Sequence, residues 1–478
     1  MNTRQIVGFA VGPIGAAGLG LALVPIIAWA FTPEDVGRLN MVQVVVSFSV
    51  LLFSLGLDQG FVRQYYETFD LAGLLKSCIF PGLILFMIIG LPGIIMSERL
   101  SAWLFGESRP IYFWITLACA FTALISRFLS LILRMQERAL AFSMSQLIPK
   151  AVLLLLVGLV VLAGFPRGFL QLQLAFLIST IAVLLIYAWN TRKEWIPAFG
   201  AQINLAQLRI LLRYSVPLIF AGLAYWGLSA TSALTLRSLS SFRELGIYSV
   251  STSFAGIAVI VQSIFSVIWA PVLYKWVAND ADMSRVDRVA RQGLAVVCGV
   301  FVICGMLSWL IDYALPSQYA EVKYLVMCSI AQPLLYALSE VTSVGINIMR
   351  RTMLSVWSTL VAFLTNLGLN LWLVPSFGAS GAVVANAIAF LVFFVARTES
   401  SAFVWRQFPR VKLYVFTSAA IVLSVLTVIL GPMTGVFFSV IWAIALPLVV
   451  WVFREEWRLV LSSFRRGILD LRKVEVDR

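Results

Sequence analysis

The chain has 478 residues, of which 61% are hydrophobic and 12% are charged, and its formal net charge is +13. Such a composition leaves too little polar surface for a water-soluble fold. It also excludes a nucleic-acid-binding protein, because no polar stretch is long enough to form a folded basic domain. The excess positive charge is therefore expected to lie against anionic membrane lipids.

Fourteen apolar stretches follow one another along the chain, and most are close to the roughly 20 residues that an α-helix needs to cross a bilayer. They predict an all-α polytopic membrane protein with 14 transmembrane helices. The predicted spans are residues 7–30, 39–61, 77–96, 111–133, 147–163, 169–189, 215–236, 246–270, 292–311, 323–346, 355–374, 379–396, 413–430 and 435–453. All five cysteines lie within spans, so we expect neither a structural disulfide nor a metal site.

Lys and Arg are distributed unevenly over the connections between these spans. Seven of the 35 fall in the predicted outer loops, namely Arg38, Arg99, Arg109, Arg167, Arg237, Arg243 and Lys323. Nearly all the others are assigned to the opposite side, and Arg127 is the one basic residue assigned to the interior of a span. Positive residues are retained on the cytoplasmic face of a membrane, so both termini are predicted to be cytoplasmic.

A short sequence pattern recurs with an offset of 209 residues. Asp35 then corresponds to Glu244, and Gly37 corresponds to Gly246. Because six spans separate the two copies, each copy crosses the membrane in the same sense. We therefore predict a parallel repeat of two six-helix lobes with a cavity between them.

The repeat and the connections divide the chain into five predicted parts. Residues 1–190 form the N-terminal lobe, and residues 215–396 form the C-terminal lobe. Residues 191–214 link them as an amphipathic helix on the cytoplasmic surface. Residues 397–453 hold two further spans that have no counterpart in the repeat. Residues 454–478 are predicted to form a cytoplasmic amphipathic tail on the membrane surface.

Five segments carry a resemblance to a known family: Phe31–Asn40, Leu55–Glu67, Leu133–Arg138, Leu211–Pro217 and Val374–Ala382. They resemble polysaccharide-unit flippases of the multidrug/oligosaccharidyl-lipid/polysaccharide exporter superfamily, whose best-known bacterial members are the Wzx-type O-antigen translocases. The resemblance covers almost the whole chain, including the number of spans.

The resemblance implies a non-enzymatic transporter of the bacterial inner membrane that needs no cofactor. Such a protein moves polyprenyl-diphosphate-linked oligosaccharide units, for O-antigen or exopolysaccharide, by alternating access between two lobes. Proton or sodium antiport is the implied driving force, and polysaccharide polymerase machinery is an implied partner. A cavity for this substrate needs cationic groups for the diphosphate and amide or hydroxyl groups for the sugars.

Two charged residues are assigned to the interior of spans. Arg127 lies about 10 Å from the inner end of the fourth span. An arginine at that depth costs roughly 2.5–3.5 kcal/mol on insertion, so we predict that it faces a cavity and binds diphosphate; snorkelling to the headgroups is the alternative.

Glu340 lies at a matching depth in the tenth span. We predict that Glu340 couples transport to an ion or gates it, either alone or paired with Arg127 across the cavity. A salt bridge within one lobe is the alternative.

Further charged residues are predicted at the ends of spans. Arg63 and Arg134 fall within the segments that carry the resemblance, and we expect them to collect the diphosphate at the cytoplasmic mouth. Asp58 lies near them and is grouped with the gating or ion-coupling residues. Arg38 and Arg237 are predicted to belong to an outer gate. Anchoring to the membrane surface is the alternative role for each of these residues.

Neutral polar residues are also present within the spans. Asn366 and Asn370 share one helix face and are predicted to contact sugar. Bonding between helices is the ordinary role of such residues in membranes. The same alternative holds for the remaining amides, which are Gln43, Gln146, Gln262, Gln332, Asn347 and Asn386.

Two other functions compete with a polysaccharide flippase. A multidrug or other lipid exporter of the same superfamily is the first, although the first span lacks the acidic residue that many multidrug exporters place there. A membrane glycan polymerase or acyltransferase is the second. The chain has no histidine, which excludes histidine-based acyl transfer, and it has no long outer loop.

Overall fold

The computed structural model describes residues 3–279 and 282–459, which fall into two compact units. Unit 1 contains the described residues up to Ser263 together with Asn366–Ala382. Unit 2 contains Ile264–Thr365 and the described residues from Val383 onward. The chain therefore passes between the units within two of its helices. The predicted division into two lobes and a separate C-terminal pair of spans stays a prediction.

Unit 1 contains eleven α-helices and the start of a twelfth among its described residues. They are α1 (Thr3–Ala30), α2 (Pro33–Phe53), α3 (Leu57–Gln64), α4 (Leu71–Ile95), α5 (Ser97–Phe105), α6 (Pro110–Met135), α7 (Ala139–Leu162), α8 (Phe169–Asn190), α9 (Arg192–Ala198), α10 (Leu205–Leu239), α11 (Phe242–Phe254) and α12 (Gly256–Ala278). We call the end of this unit with the α1–α2 turn the Thr32 end, and the opposite end, where α6 stops, the Gln136 end. The Thr32 end is the predicted outer side.

The described part of unit 2 is also helical. Its α-helices are α13 (Ser284–Leu307), α14 (Ile311–Ala314), α15 (Val322–Ser329), α16 (Ala331–Thr342), α17 (Val344–Ile348), α18 (Thr352–Val404), α19 (Val411–Thr434) and α20 (Phe437–Val452), with 3-10 turns at Ser308–Leu310 and Ser317–Tyr319. The middle of α18 belongs to unit 1, and the helix is interrupted at Gly378, whose φ of 50° is left-handed. This break separates the eleventh and twelfth predicted spans.

The membrane-spanning character is confirmed by the helices. Among the described residues, ten helical segments are long and apolar enough to cross a bilayer, and α18 holds two predicted spans. The apolar stretch Gly15–Ala30 of α1 and the 16-residue α20, Phe437–Val452, coincide with the first and last predicted spans. The described residues form helices and no strands, so the predicted all-α membrane fold is confirmed.

Two predicted elements differ in detail from the structure. The second span was expected to be continuous, but Leu55 and Gly56 both adopt left-handed backbone angles, with φ of 52° and 66°. A Cβ on Gly56 would lie 2.6 Å from the carbonyl oxygen of Ser215, so the close approach of α10 favours glycine. The predicted linker at residues 191–214 forms α9 and the beginning of α10. Most of the predicted tail, residues 460–478, lies outside the described residues.

Candidate functional site

Two glycines related by the 209-residue offset bring α2 and α11 into backbone contact at the Thr32 end. A Cβ on Gly37 would overlap the carbonyl oxygen of Phe242, and a Cβ on Gly246 would overlap the carbonyl oxygen of Pro33. Pro33 and Phe242 are themselves separated by the same offset. The contact is therefore nearly symmetric, and it requires residues without a side chain at both positions.

The two helices begin with the same local signal. The hydroxyl of Thr32 accepts a hydrogen bond from the backbone N–H of Asp35, at 3.3 Å. The hydroxyl of Ser241 accepts one from the N–H of Glu244, at 3.2 Å. Hydroxyl caps of this kind satisfy the otherwise unpaired N–H groups of a first helical turn. The repeated caps place Gly37 and Gly246 at the same depth in their helices.

The predicted gating residues Arg38 and Arg237 meet in one cluster beside this crossing. Their guanidinium carbons lie 5.3 and 4.8 Å from the centre of the Phe242 ring. Arg38 donates to the carbonyl oxygen of Phe105 at 3.0 Å, and Arg237 donates to that of Trp103 at 2.5 Å. The carbonyl end of a helix attracts cations, so both arginines are held by the last turn of α5.

An ion pair completes the arginine cluster. Glu107 accepts from Arg38 at 2.9 Å. Gly106, with φ of 75°, turns the chain between α5 and this carboxylate. The cluster ties α2, α5, α10 and α11 together at the Thr32 end of unit 1.

A cavity of about 500 Å³ lies within unit 1, between α1, α2, α7, α8, α11 and α12. Its lining is apolar except for eight polar residues: Asn40, Gln43, Gln146, Lys150, Ser179, Ser249, Thr252 and Ser253. No Asp or Glu is among the lining residues that the structure describes. The volume is within the range of about 300–1,000 Å³ that is usual for small-molecule sites.

Among the described residues of this lining Lys150 is the only charged one, and sequence reasoning missed it. It lies close to the start of the predicted span 147–163, so its charge was grouped with the inner side. A sequence signal for this residue does exist, because a lysine directly after Pro149 stands inside an otherwise apolar helix. Gln146 lies one turn before Lys150 and therefore shares its face of α7.

Arg127 forms an ion pair with Asp58 in unit 1. Its Nε and one terminal nitrogen lie 3.1 and 2.6 Å from the same carboxylate oxygen, and the Gln59 amide donates to that oxygen at 3.1 Å. The side chain of Asp58 is 9% exposed, whereas that of Arg127 is 42% exposed. The break after α2 places Asp58 in the first turn of α3, which brings it to α6.

This pairing gives Arg127 a partner within unit 1. The carboxylate that Arg127 binds there is Asp58, because the turn at Gly56 redirects the chain towards α6. Pairing of Arg127 with Glu340 stays a prediction. In unit 2 the Glu340 carboxylate instead accepts from the Ser266 hydroxyl at 2.5 Å. A cavity of about 120 Å³ beside it is lined by Ser266, Glu340 and Arg397, among others. The predicted diphosphate and ion-coupling roles stay predictions.

The remaining predicted residues occupy different surroundings. Arg63 lies over the ring of Tyr214, 4.4 Å from its centre, and Arg134 is exposed in the last turn of α6. Asn366 and Asn370 are fully buried in unit 1. The Asn370 amide donates to the Asn366 side-chain oxygen at 2.7 Å, and Asn366 donates to a backbone carbonyl of α10 at 2.7 Å. Both amides are enclosed by protein here, so their contact with sugar stays a prediction.

The described residues contain no cluster of three or more His, Cys, Asp or Glu that would hold a metal ion. Their five cysteines are free and mostly buried.

Comparisons with known proteins show the family and the fold of the chain. Residues 4–277 match the family model described as polysaccharide biosynthesis protein. Among solved structures, "Lipid II flippase MurJ, inward closed conformation" matches with a TM-score of 0.66 at 14% identity, covering 96% of this chain and 99% of that one. The inward-facing conformation of a multidrug resistance MATE family transporter of the MOP superfamily matches with a TM-score of 0.53 at 13% identity, covering 84% and 98%. A search of curated protein sequences gives no match.

The structural matches show a shared fold, while the family model covers more than half of the chain. Together with the membrane-spanning helices, they establish a multi-pass membrane protein with the fold of the multidrug/oligosaccharidyl-lipid/polysaccharide exporter superfamily. The chain belongs to the polysaccharide biosynthesis protein family.

Proposed function

We propose that this protein is a flippase that moves polyprenyl-diphosphate-linked oligosaccharide units across the bacterial inner membrane by alternating access. The observation that carries the proposal is the cavity of unit 1. In the described part of its lining it combines one cation with amides and hydroxyls, and no carboxylate. A diphosphate requires cationic donors, and sugar hydroxyls require amides and hydroxyls as partners. Membership of the polysaccharide biosynthesis family supports the same substrate class.

The same cavity argues against export of cationic drugs. A cation in a low-dielectric cavity needs a carboxylate partner, because an unpaired buried charge is costly. The lining offers Lys150 instead, which repels a cation. A lipid exporter whose substrate carries a phosphate but no glycan is the remaining alternative.

The predicted residues take roles that follow their positions in unit 1. Arg63 and Arg134 lie near the Gln136 end, where they would receive diphosphate from the cytoplasmic leaflet. Arg38 and Arg237 hold the Thr32 end together and would release it when the substrate leaves. In this proposal both termini are cytoplasmic, and the flipped units are passed to polysaccharide polymerase machinery. O-antigen and exopolysaccharide repeat units are the proposed cargo.

Reconstitution tests the transport activity. Purified protein is placed in liposomes that contain polyprenyl diphosphate linked to a fluorescent disaccharide in both leaflets. We expect a membrane-impermeant quencher to reach nearly the whole lipid pool, whereas in protein-free vesicles it reaches the outer leaflet only. Equal quenching in the two preparations contradicts the proposal. Uptake of a cationic dye without flipping of the glycolipid supports a multidrug exporter instead.

Ion coupling through Glu340 is tested in the same vesicles. Glu340→Gln removes a carboxylate that can change its charge between two conformations, and such a change is what couples an ion to transport. We expect this variant to equilibrate the glycolipid between leaflets but not to accumulate it when a proton or sodium gradient is imposed. Glu455→Gln changes an exposed carboxylate of the same unit and serves as the control. Gradient-driven accumulation by Glu340→Gln would exclude the coupling role.

A further inference from the structure

We propose that Lys150 is the oxyanion-binding group of a saccharide subsite in the cavity of unit 1. This inference rests on the proposed function and deepens it, because it names the residues that recognise the charged part of the substrate. The ligand it fits is an oxyanion, phosphate or carboxylate, on a molecule rich in hydroxyl groups.

The charge of the cavity supports an anionic ligand. Lys150 lies in the middle of α7, and within the described residues no carboxylate forms a salt bridge with it. Arg127, by contrast, is paired with Asp58 at 2.6 Å. An ammonium group without an anionic partner inside a membrane protein is costly, and a bound oxyanion compensates for that cost.

The polar groups around Lys150 support a hydroxylated ligand. Asn40 donates its amide to Ser249 at 3.2 Å, but its amide oxygen is buried and accepts no hydrogen bond. A sugar hydroxyl or an acetamido N–H in the cavity would satisfy this oxygen. Gln43 and Gln146 line the same cavity and supply further donors and acceptors. Asn40 and Gln43 lie on α2 and Gln146 lies on α7, so these groups would contact a ligand from two sides.

A glycine of α1 makes room for the ammonium group. A Cβ on Gly20 would lie 2.6 Å from Lys150 Nζ, whereas a Cβ on Gly18 would meet nothing within 4 Å. Pro149 lacks a backbone N–H, and so leaves the carbonyl one turn earlier without its helical partner. Both features belong to the wall of the cavity. The lysine side chain therefore ends against Gly20 of α1, at the wall of the cavity.

Binding of a defined ligand tests the subsite. The full-length protein in detergent is titrated with polyprenyl diphosphate that carries a neutral disaccharide. We expect Lys150→Gln to weaken binding about 10- to 100-fold, as for the loss of one hydrogen bond to a charged group. The salt dependence of binding should also decrease. Gly20→Ala should weaken binding less, because the ammonium group can move away, and Gly18→Ala should bind as the wild type does.

Two further ligands identify the source of the oxyanion. Inorganic diphosphate competes if Lys150 binds the phosphate of the lipid carrier. A lipid-free oligosaccharide that contains a uronic acid competes if Lys150 binds an acidic sugar. In either case competition should be lost in Lys150→Gln and retained in Lys193→Gln, which removes an exposed lysine elsewhere in unit 1.

The outcomes separate the subsite from the proposed function. The subsite is overturned if Lys150→Gln unfolds at the same temperature as the wild type and binds the glycolipid with unchanged affinity. In that case, flipping by the wild type leaves the proposed function intact. Wild-type protein that binds inorganic diphosphate through Lys150 but does not flip the glycolipid overturns the proposed function and retains the subsite. If Lys150→Gln is unstable, the comparison of Gly20→Ala with Gly18→Ala tests the subsite instead. Equal affinities of these two variants for the glycolipid overturn the subsite.

Discussion

Replacing Gly246 with alanine is expected to prevent the Thr32 end of unit 1 from closing. The added methyl group would overlap the carbonyl oxygen of Pro33, which is backbone and cannot rotate away. Overpacking of this kind costs about 1–3 kcal/mol, which lowers the closed population about 5- to 150-fold. Transport by alternating access should fall by a similar factor. Flipping assays measure this loss, and a thiol at Thr252→Cys in the cavity should become accessible from the Thr32 side.

The repeat supplies a second test of the same contact. Gly37→Ala overlaps the carbonyl oxygen of Phe242 and should reproduce the effect of Gly246→Ala. Gly158→Ala is the matched control, because its methyl group would meet nothing within 4 Å. Alanine favours helix over glycine by about 0.5–1 kcal/mol, so a loss confined to the two crossing positions arises from the contact. Wild-type transport and labelling in Gly246→Ala would show that this crossing is not a gate.

Removing the positive charge of Arg127 is expected to destabilise the protein and to abolish transport. Arg127→Gln leaves the carboxylate of Asp58, which is 9% exposed, without a cationic partner. Breaking a buried pair from one side costs about 3–5 kcal/mol. Because Arg127 is 42% exposed, we expect the lower end of this range, about 3 kcal/mol. The thermal unfolding midpoint in detergent and the flipping rate both measure the effect. Arg209→Gln removes an exposed arginine and should change neither.

A double variant decides what Arg127 does. Asp58→Asn with Arg127→Gln removes both charges, so the cost of an unpaired carboxylate disappears. We expect the unfolding midpoint and most of the transport activity to recover. A double variant that is stable but inactive would contradict pairing as the main role. It would then assign Arg127 to the substrate, as its depth in the span first indicated.

The sequence matched Gly37 to Gly246 by offset alone and predicted no contact between them. The structure places them in one crossing with repeated hydroxyl caps. Local signals carry this information, because a capping residue and a following glycine act within a single helical turn. Arg38 and Arg237 were grouped as gating residues, and their common partner Phe242 was found only in the structure.

The candidate site was less predictable than the spans. Lys150 was grouped with the inner charges by its position along the chain, although it lines the cavity. Asn366 and Asn370 share a face as predicted, but they are enclosed between helices. Each step along a helix turns the side chain by about 100°. Hydropathy therefore predicts the depth of a residue in the membrane, but it does not predict which neighbouring helix the side chain faces.

Sequence alone determined that this is a multi-pass membrane protein. The lengths of the apolar stretches and the distribution of Lys and Arg govern insertion into a membrane, and both are visible in the chain without its fold. The tertiary structure alone decided which charges are paired. The left-handed turn at Leu55 and Gly56 redirects the chain and brings Asp58 to Arg127. Lys150 has no such partner in the described residues, since the helices around it contribute amides, hydroxyls and a glycine to the cavity. Rotation and breaks of helices determine these contacts, and neither follows from composition or spacing.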